Sequence, residues 1–580
     1  MMLDCETSRD GMRYLGSLLF AACIPGQALA APQMPTPRLE IELAPIADAK
    51  GAISTLDVKL RFDAPPSTGD LAAIAVSANT VETSANAIDG LAFSDASGPL
   101  AVKPHDEARD GDNLERRWQP LRPVVGQVTV AYRVRINPDQ SELAKPQYEL
   151  RAADGALSGA GNSFLVLPAD EVARNVSVNW NLRQAGAGAK AASSLGPAAS
   201  GRAVSSSHPL IPAEVASSYF MAGTIGAYAK DSFFGAWQGH FAFDGTELMD
   251  WASRLQSFYG DFFDQRPASF GVFARTNRLN PGSGIGLTDS FAFTFGDKTP
   301  IGDLESLLAH EMVHAFINSL DNSMDAAGGL SMSWFGEGLA VYYQRTLPYR
   351  AGLISRQAFL DDLNETAARY YTNALIGTPN DRIAEGFWKD TRVRVLPYDR
   401  GSLYFATVDS EIRRASGGQR SLDDLVRRML AERRAGHPMN LALWKDLLRS
   451  ELGEKGLTEF EGMLAGKTVF VPSNAFGPCF ERVTKQLRRF DLGFDPLVLV
   501  SADRKVAGLK PGSTAAAAGL QNGDHILNRF PQDALQGNQS ATLTLEIERD
   551  GQEKTLTYLP RGEDVSAFQW QAKSCPAYVK

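Results

Sequence analysis

Apolar and polar residues alternate between Leu39 and Ile136, in the runs Leu39, Ile41, Leu43, then Leu56, Val58, Leu60, Phe62, then Val128, Val130, Tyr132, Val134, Ile136. A period of two turns one side of each segment toward a core, and the Pro and Gly clusters between the runs supply turns. The pattern predicts an all-β, sandwich-like domain over residues 31–215. Within it, residues 184–209 (QAGAGAKAASSLGPAASGRAVSSSHP) are rich in Ala, Gly and Ser without apolar periodicity, and read as a flexible loop or linker. Short aromatic strands recur from about Ser217 to Asp297. The period then becomes helical, with Leu304, Leu307, Leu308, Met312, Ala315 and Phe316 marking one strong helix. A small sheet followed by helices predicts an α+β domain over 216–475. After Cys479 the chain returns to strands and ends on Leu543, Leu545, Ile547, an Asp550-Gly551 turn, Leu556 and Tyr558. That is a hairpin pattern, and a third, β-rich domain is expected over 476–580.

Composition narrows the function classes. A chain of 580 residues, 44% hydrophobic and 22% charged, is long enough for about three domains. The net charge of -9 is spread along it, and the Arg427-Arg428 and Arg433-Arg434 pairs lie beside Asp423, Asp424 and Glu432 on a helix-like stretch. Such mixed charge is a solvated face and argues against nucleic acid as a partner. At the N-terminus, Arg13, the apolar run Tyr14 to Ile24, Pro25-Gly26 and Ala28-Leu29-Ala30 read as a cleavable signal peptide over residues 1–30. Asp4, Glu6 and Asp10 are wrong for a positive leader, which favours a start at Met12. The run is too short to span a bilayer and no other stretch of 18 apolar residues follows, so an exported protein, periplasmic or secreted, without a transmembrane anchor is expected. A lipoprotein site ending at Cys23 is the competing reading. Cys479 and Cys575 remain after the leader and are expected to pair in an oxidising compartment.

The chemistry concentrates in the strong helix. His310-Glu311-Met312-Val313-His314 sets two imidazoles one turn apart on one face, able to hold one zinc, with Glu311 beside them to take a proton from water. Further on, Trp334-Phe335-Gly336-Glu337-Gly338-Leu339-Ala340-Val341-Tyr342-Tyr343 is an apolar helix with a single acid. A buried carboxylate is costly unless paired or metal-bound, so Glu337 is the candidate third ligand.

His-Glu-x-x-His followed by a Trp-Phe-x-Glu-Gly helix resembles the gluzincin metallopeptidases, specifically the glycyl aminopeptidase family. The resemblance implies an N-terminal β domain, a thermolysin-like catalytic domain and a C-terminal PDZ domain. It also implies a downstream tyrosine that stabilises the tetrahedral oxyanion. Tyr398-Asp399-Arg400-Gly401 matches that segment, making Tyr398 the candidate, with Tyr404 as competitor and half-buried packing as the alternative role. Family members place a Glu on a Gly-Gly-Leu-Glu-His strand to bind the substrate's amino group. Here the stretch reads Gly284-Ile285-Gly286-Leu287-Thr288-Asp289-Ser290, with Thr288 in the Glu position and Asp289 in the His position. Gly286, Leu287, Thr288 and Asp289 are the candidate substrate-binding residues; the backbone can pair with a peptide, whereas Thr288 cannot pair with an ammonium ion. Asp491-Leu492-Gly493-Phe494, with Gly508 to Ala515 and Ala518 to Asp524, resembles a PDZ domain. Leu492, Gly493 and Phe494 would hold a terminal carboxylate while the next strand pairs with the peptide; the competing role is interdomain packing.

The expected function is an exported zinc peptidase acting on peptides or proteins, an aminopeptidase by resemblance. An endopeptidase using the same site, and a weakly active PDZ-mediated binding protein, are the alternatives.

Overall fold

The computed structural model describes residues 36–64, 69–78, 81–108, 113–136, 149–278, 281–317, 319–320 and 329–574. The leader, Cys23 and Cys575 lie outside the described residues. The chain is multidomain, with several sheets and helices.

The alternation near the N-terminus produces strands β1 (Arg38–Ala47), β2 (Ile53–Asp63), β3 (Gln127–Arg135) and β4 (Asn175–Trp180). β1 lies between β2, antiparallel, and β4, parallel, and β2 pairs with β3 antiparallel. Their inward residues Leu39, Ile41, Val58, Leu60, Val130 and Trp180 share one core with Trp118 and Phe220. Full burial of a Val, Leu or Ile side chain of this kind is worth about 1.5–3 kcal/mol against exposure.

Two expectations need correction. Residues 184–209 are not simply a linker: they hold β5 (Lys190–Ser193) and β6 (Gly196–Ala198), paired through Ser193 and Gly196, and β5 also pairs with β7 (Tyr219–Gly223). Ala192 is buried in a cluster with Phe234 and Phe273, so the small residues that resemble a linker serve a close approach of two sheets. By the same pairing, β7 belongs to the sheet of the preceding segment, past the expected boundary at 215.

The central sheet has the order β8 (Gly226–Lys230), β9 (Phe233–Gln238), β10 (Phe270–Thr276), β12 (Ser290–Phe295), β11 (Gly284–Leu287). β9, β10 and β12 run parallel, and β11 is an antiparallel edge. Helices α1 (Gly245–Phe262), α2 (Ile301–Phe316), α3 (Gly329–Arg350), α4 (Arg356–Tyr371), α5 (Thr391–Arg394), α6 (Leu396–Ala415), α7 (Leu422–Arg434) and α8 (Leu441–Leu464) pack around it and on one another. Trp334, Tyr404, Phe405, Trp444 and Phe460 form the aromatic centre of their core.

The C-terminal segment divides in two. β13 (Phe480–Phe490) and β16 (Arg561–Ala572) form an antiparallel ribbon whose Phe480 and Trp570 enter the helical core, where the Trp570 backbone N–H donates to Asn364 Oδ1 of α4 at 2.7 Å. A separate core from Phe490 to Tyr558 encloses α9 (Gln532–Gly537), β14 (Leu543–Arg549) and β15 (Gln552–Tyr558). Leu492 and Phe494 are buried in it, and Gly493 adopts φ +81° where an added Cβ would lie 2.8 Å from Ala515 Cβ. The Gly493 N–H donates to Asp491 Oδ1 at 2.9 Å, and the following residues Pro496–Val500 form a 3-10 turn. The strand expected to pair with a bound peptide is therefore missing at that position, because Pro496 fixes its own φ and carries no N–H for a ladder.

Candidate functional site

α2 begins after Pro300, and Leu304, Leu308, Met312 and Val313 bury one side against the core. The opposite side carries His310, Glu311 and His314 into a cleft of about 1180 Å³. α3 packs against it with most of its length buried, and Glu337 reaches the cleft from α3 with 5% exposure. The Nε2 atoms of His310 and His314 lie 3.3 Å apart, and each approaches Glu337 Oε2, at 3.2 and 3.4 Å. Among the described residues, these three form the more buried of two clusters able to hold a metal ion. Three ligand atoms about 2.0–2.1 Å from a tetrahedral ion must sit roughly 3.3–3.4 Å from one another, so this N, N, O set fits such an ion. The other cluster, Asp70, His105 and Glu107, is more exposed, and Arg117 already pairs with Asp70 and Glu107 at 3.7 and 3.0 Å.

The electrostatics of the cluster follow from this closeness. Burial alone would raise the Glu337 pKa, yet the two histidines hold it well below the usual carboxylate range. Burial opposes charge on His310, but Glu337 and Glu311 push it up to about 9. Two imidazoles converge on one buried carboxylate, and a donor set of that kind suits a cation held between them.

A side chain on α3 orients His310. Gln344, about two helical turns beyond Glu337, faces His310 Nδ1 at 2.9 Å, and its Nε2 donates to Asp362 Oδ2 at 2.7 Å. Asp362 is in turn bonded by Arg345, whose Nη2 donates to Thr366 Oγ1 at 2.6 Å. With Gln344 Oε1 accepting from Nδ1–H, the proton that a bound cation would displace is the one on Nε2, which then offers its lone pair to the candidate site. Nothing in the sequence around Gln344 signals this role.

Close glycine contacts make room for the chemistry. A Cβ on Gly284 of β11 would fall 2.6 Å from Glu311 Oε1, so the bare strand edge lets that carboxylate lie over it. A Cβ on Gly401 would fall 2.4 Å from the Trp334 carbonyl oxygen and one on Gly338 would fall 2.6 Å from Gly401 Cα. α3 and α6 can thus touch backbone to backbone, which carries Tyr398 to the cleft that Glu337 also lines. The Tyr398 ring lies nearly parallel to His310, 20° apart with centroids at 6.1 Å. Burial, with Glu337 and Glu311 nearby, raises its pKa well above the ordinary phenol value and keeps its proton in place. Tyr404, the competitor, is buried against Trp334 and Phe460 and does not line the cleft. Asp399, next to Tyr398, is held by Arg369 Nε at 2.8 Å and Nη2 at 2.6 Å.

The substrate-binding expectations divide. Gly286 lines the cleft with Gly284 and Ile285. Leu287 packs toward the sheet interface instead. Thr288 and Asp289 form the turn between β11 and β12, with Asp289 at φ +47°; Thr288 Oγ1 donates to the Glu214 carbonyl at 2.7 Å, and burial raises the Asp289 pKa. Neither lines the cleft. Arg394, Arg433 and Asp533 do: Arg433, read from its charged neighbours as part of a solvated face, instead lines the cleft and donates from Nη2 to the Phe316 carbonyl at 2.8 Å, and nothing in the sequence context of Arg394 or Asp533 marks them.

Residues 303–380 match the family model described as M61 glycyl aminopeptidase. No curated protein matches. A solved structure described as an aminopeptidase N family protein from Idiomarina loihiensis aligns over 92% of this chain and 98% of its own, at 16% identity and a TM-score of 0.65, a likeness of fold. Leukotriene A4 hydrolase from yeast aligns over 74% of this chain and 67% of its own at 10% identity, with a TM-score of 0.43 too low to carry an argument. Among the described residues, no helix is long and apolar enough to cross a membrane.

Proposed function

Starting from a chain of the glycyl aminopeptidase-like family, we propose that it is a zinc-dependent peptidase hydrolysing peptide bonds at the cleft lined by His310, Glu311, His314, Glu337 and Tyr398. The observation that carries the reading is the tetrahedral spacing of the three donor atoms beside the Glu311 carboxylate in an open cleft. Zinc, when bound there, supplies a Lewis acid that polarises the scissile carbonyl and makes water easier to deprotonate. Glu311 takes the proton from the attacking water and delivers it to the departing amine. The Tyr398 hydroxyl, kept protonated, donates to the oxygen that becomes negative in the transition state. The edge of β11 at Gly284 to Gly286 offers backbone groups to an extended substrate.

Aminopeptidase action is the first reading, by family. A second reading, endopeptidase action, is favoured by one observation: Thr288, where an amino-group anchor is expected, is turned away and bonded to Glu214. Zinc content and digestion of paired peptides with free and acetylated N-termini test both. Release of the first residue from the free peptide alone supports the aminopeptidase, and equal internal cleavage of both supports the endopeptidase. Failure to cleave either peptide with one zinc bound would overturn the peptidase reading. We also propose that the segment around Leu492, Gly493 and Phe494 is a PDZ-like module used mainly for packing, and that the chain is exported with Cys479 bonded to Cys575. The Lys573 N–H donates to the Cys479 carbonyl at 2.9 Å, which supports that pairing.

A further inference from the structure

The C-terminal module reaches into the catalytic cleft. Asp533, the second residue of α9, lines it and receives Arg394 Nη2 at 2.9 Å on each carboxylate oxygen. The same carboxylate accepts from Thr391 Oγ1, and Gln536 Nε2 donates to that hydroxyl at 3.1 Å. α9 therefore grips α5 at its first and last residues. α5 runs through Val395 directly into α6, whose third residue is Tyr398, and the Asp399 N–H donates back to the Val395 carbonyl at 2.9 Å. From the other side α4 holds Asp399 through Arg369. α9 itself is fixed in its module, since Arg561 Nη2 donates to the Leu535 and Asn538 carbonyls.

We propose that Asp533 and Gln536 are positioning residues, which act through α5 to set the Tyr398 hydroxyl at the oxyanion and so make hydrolysis depend on the docked C-terminal module. The inference rests on the proposed role of Tyr398. Asp533 belongs to a half-exposed ion pair, whose own contribution to stability is small. Its importance lies in geometry, because a displacement of about 1 Å at a reacting group can cost roughly 100-fold in rate.

The test is a double-mutant cycle in the zinc-loaded full chain, read by steady-state kinetics on a peptide substrate. Asp533→Ala with Gln536→Ala should lower kcat by about 10- to 100-fold, with KM changed by less than about threefold and zinc content unaltered. In a Tyr398→Phe background the same pair should cost less than about twofold more, since there is no hydroxyl left to misplace. Asp533→Glu, which keeps the charge, should recover most of the rate. A loss of the same size with and without the Tyr398 hydroxyl overturns the inference while leaving the peptidase reading intact. So does a pair of substitutions that leaves kcat unchanged. If Tyr398→Phe alone has no effect in the parent enzyme, the role of Tyr398 is refuted and the inference falls with it.

Discussion

Replacing Gln344 with Leu removes the acceptor of His310 Nδ1–H without opening a large hole, because the two side chains are close in size. The amide is pinned at both ends, at 2.9 Å to His310 and 2.7 Å to Asp362, and Asp362 keeps Arg345 when it is lost. What changes is the imidazole: its Nδ1–H loses a partner at a position where the ring is only 14% exposed. Leaving a buried donor unmade costs about 1–3 kcal/mol. Loss of such an outer partner typically weakens metal affinity about 10- to 100-fold, which corresponds to about 1.4–2.8 kcal/mol, and the two figures agree. Zinc affinity of Gln344→Leu, measured by competition with a chelator at one pH beside the parent protein, should therefore fall by that factor while the chain still folds and binds one ion. Affinity within about twofold of the parent would refute the claim that Gln344 orients His310. A total loss of binding would equally contradict it, since all three ligands remain.

Glu311→Gln should keep zinc and abolish turnover, and full activity would sink the assignment of the base. Tyr398→Phe should lower kcat about 10- to 1000-fold with little change in KM, whereas Tyr404→Phe should act on thermal stability only. Gly401→Ala must push the Trp334 carbonyl away, so a lower melting temperature and a slower kcat are expected together; overpacking of this kind costs about 1–3 kcal/mol. Cys479 and Cys575 should resist alkylation in protein recovered from outside the cytoplasm, and two reactive thiols would refute both the bridge and the argument from export.

The candidate metal site was legible because its geometry is local. His310, Glu311 and His314 share one helix face whatever the tertiary fold does, and Glu337 stood out as one acid in an apolar helix. Tyr398 needed family resemblance, since a tyrosine among aromatic residues looks like core, and it is the contact of Gly338 with Gly401 that brings it to the cleft while Tyr404 stays inside. Residues 184–209 misled for a physical reason: Ala and Gly signal freedom when exposed, but close packing when two sheets meet over them. Arg394 and Asp533 gave no signal at all, because their pairing joins positions far apart in the chain and depends on how the C-terminal module docks.

That docking bears on the two ends of a substrate. The strand edge that could align a peptide, Gly284 to Gly286, survives, while its next residues are spent on the turn that holds Thr288 to Glu214. An amino-terminal anchor on that strand would need a charge facing the cleft, and among the described residues the acid that lines the cleft from outside the candidate metal site, Asp533, is already matched by Arg394. A peptide ammonium must then compete with a guanidinium for Asp533 or go without an ionic anchor. In either case a free N-terminus adds little binding energy over an acetylated one. On the endopeptidase reading, the kcat/KM ratio between free and acetylated peptides should accordingly stay below about tenfold, less than about 1.4 kcal/mol of discrimination, whereas the aminopeptidase reading requires a larger one. A larger ratio would show that an ammonium site exists in this cleft, and Asp533→Asn would then locate it: a collapse of the ratio assigns the anchor to Asp533, and an unchanged ratio assigns it elsewhere.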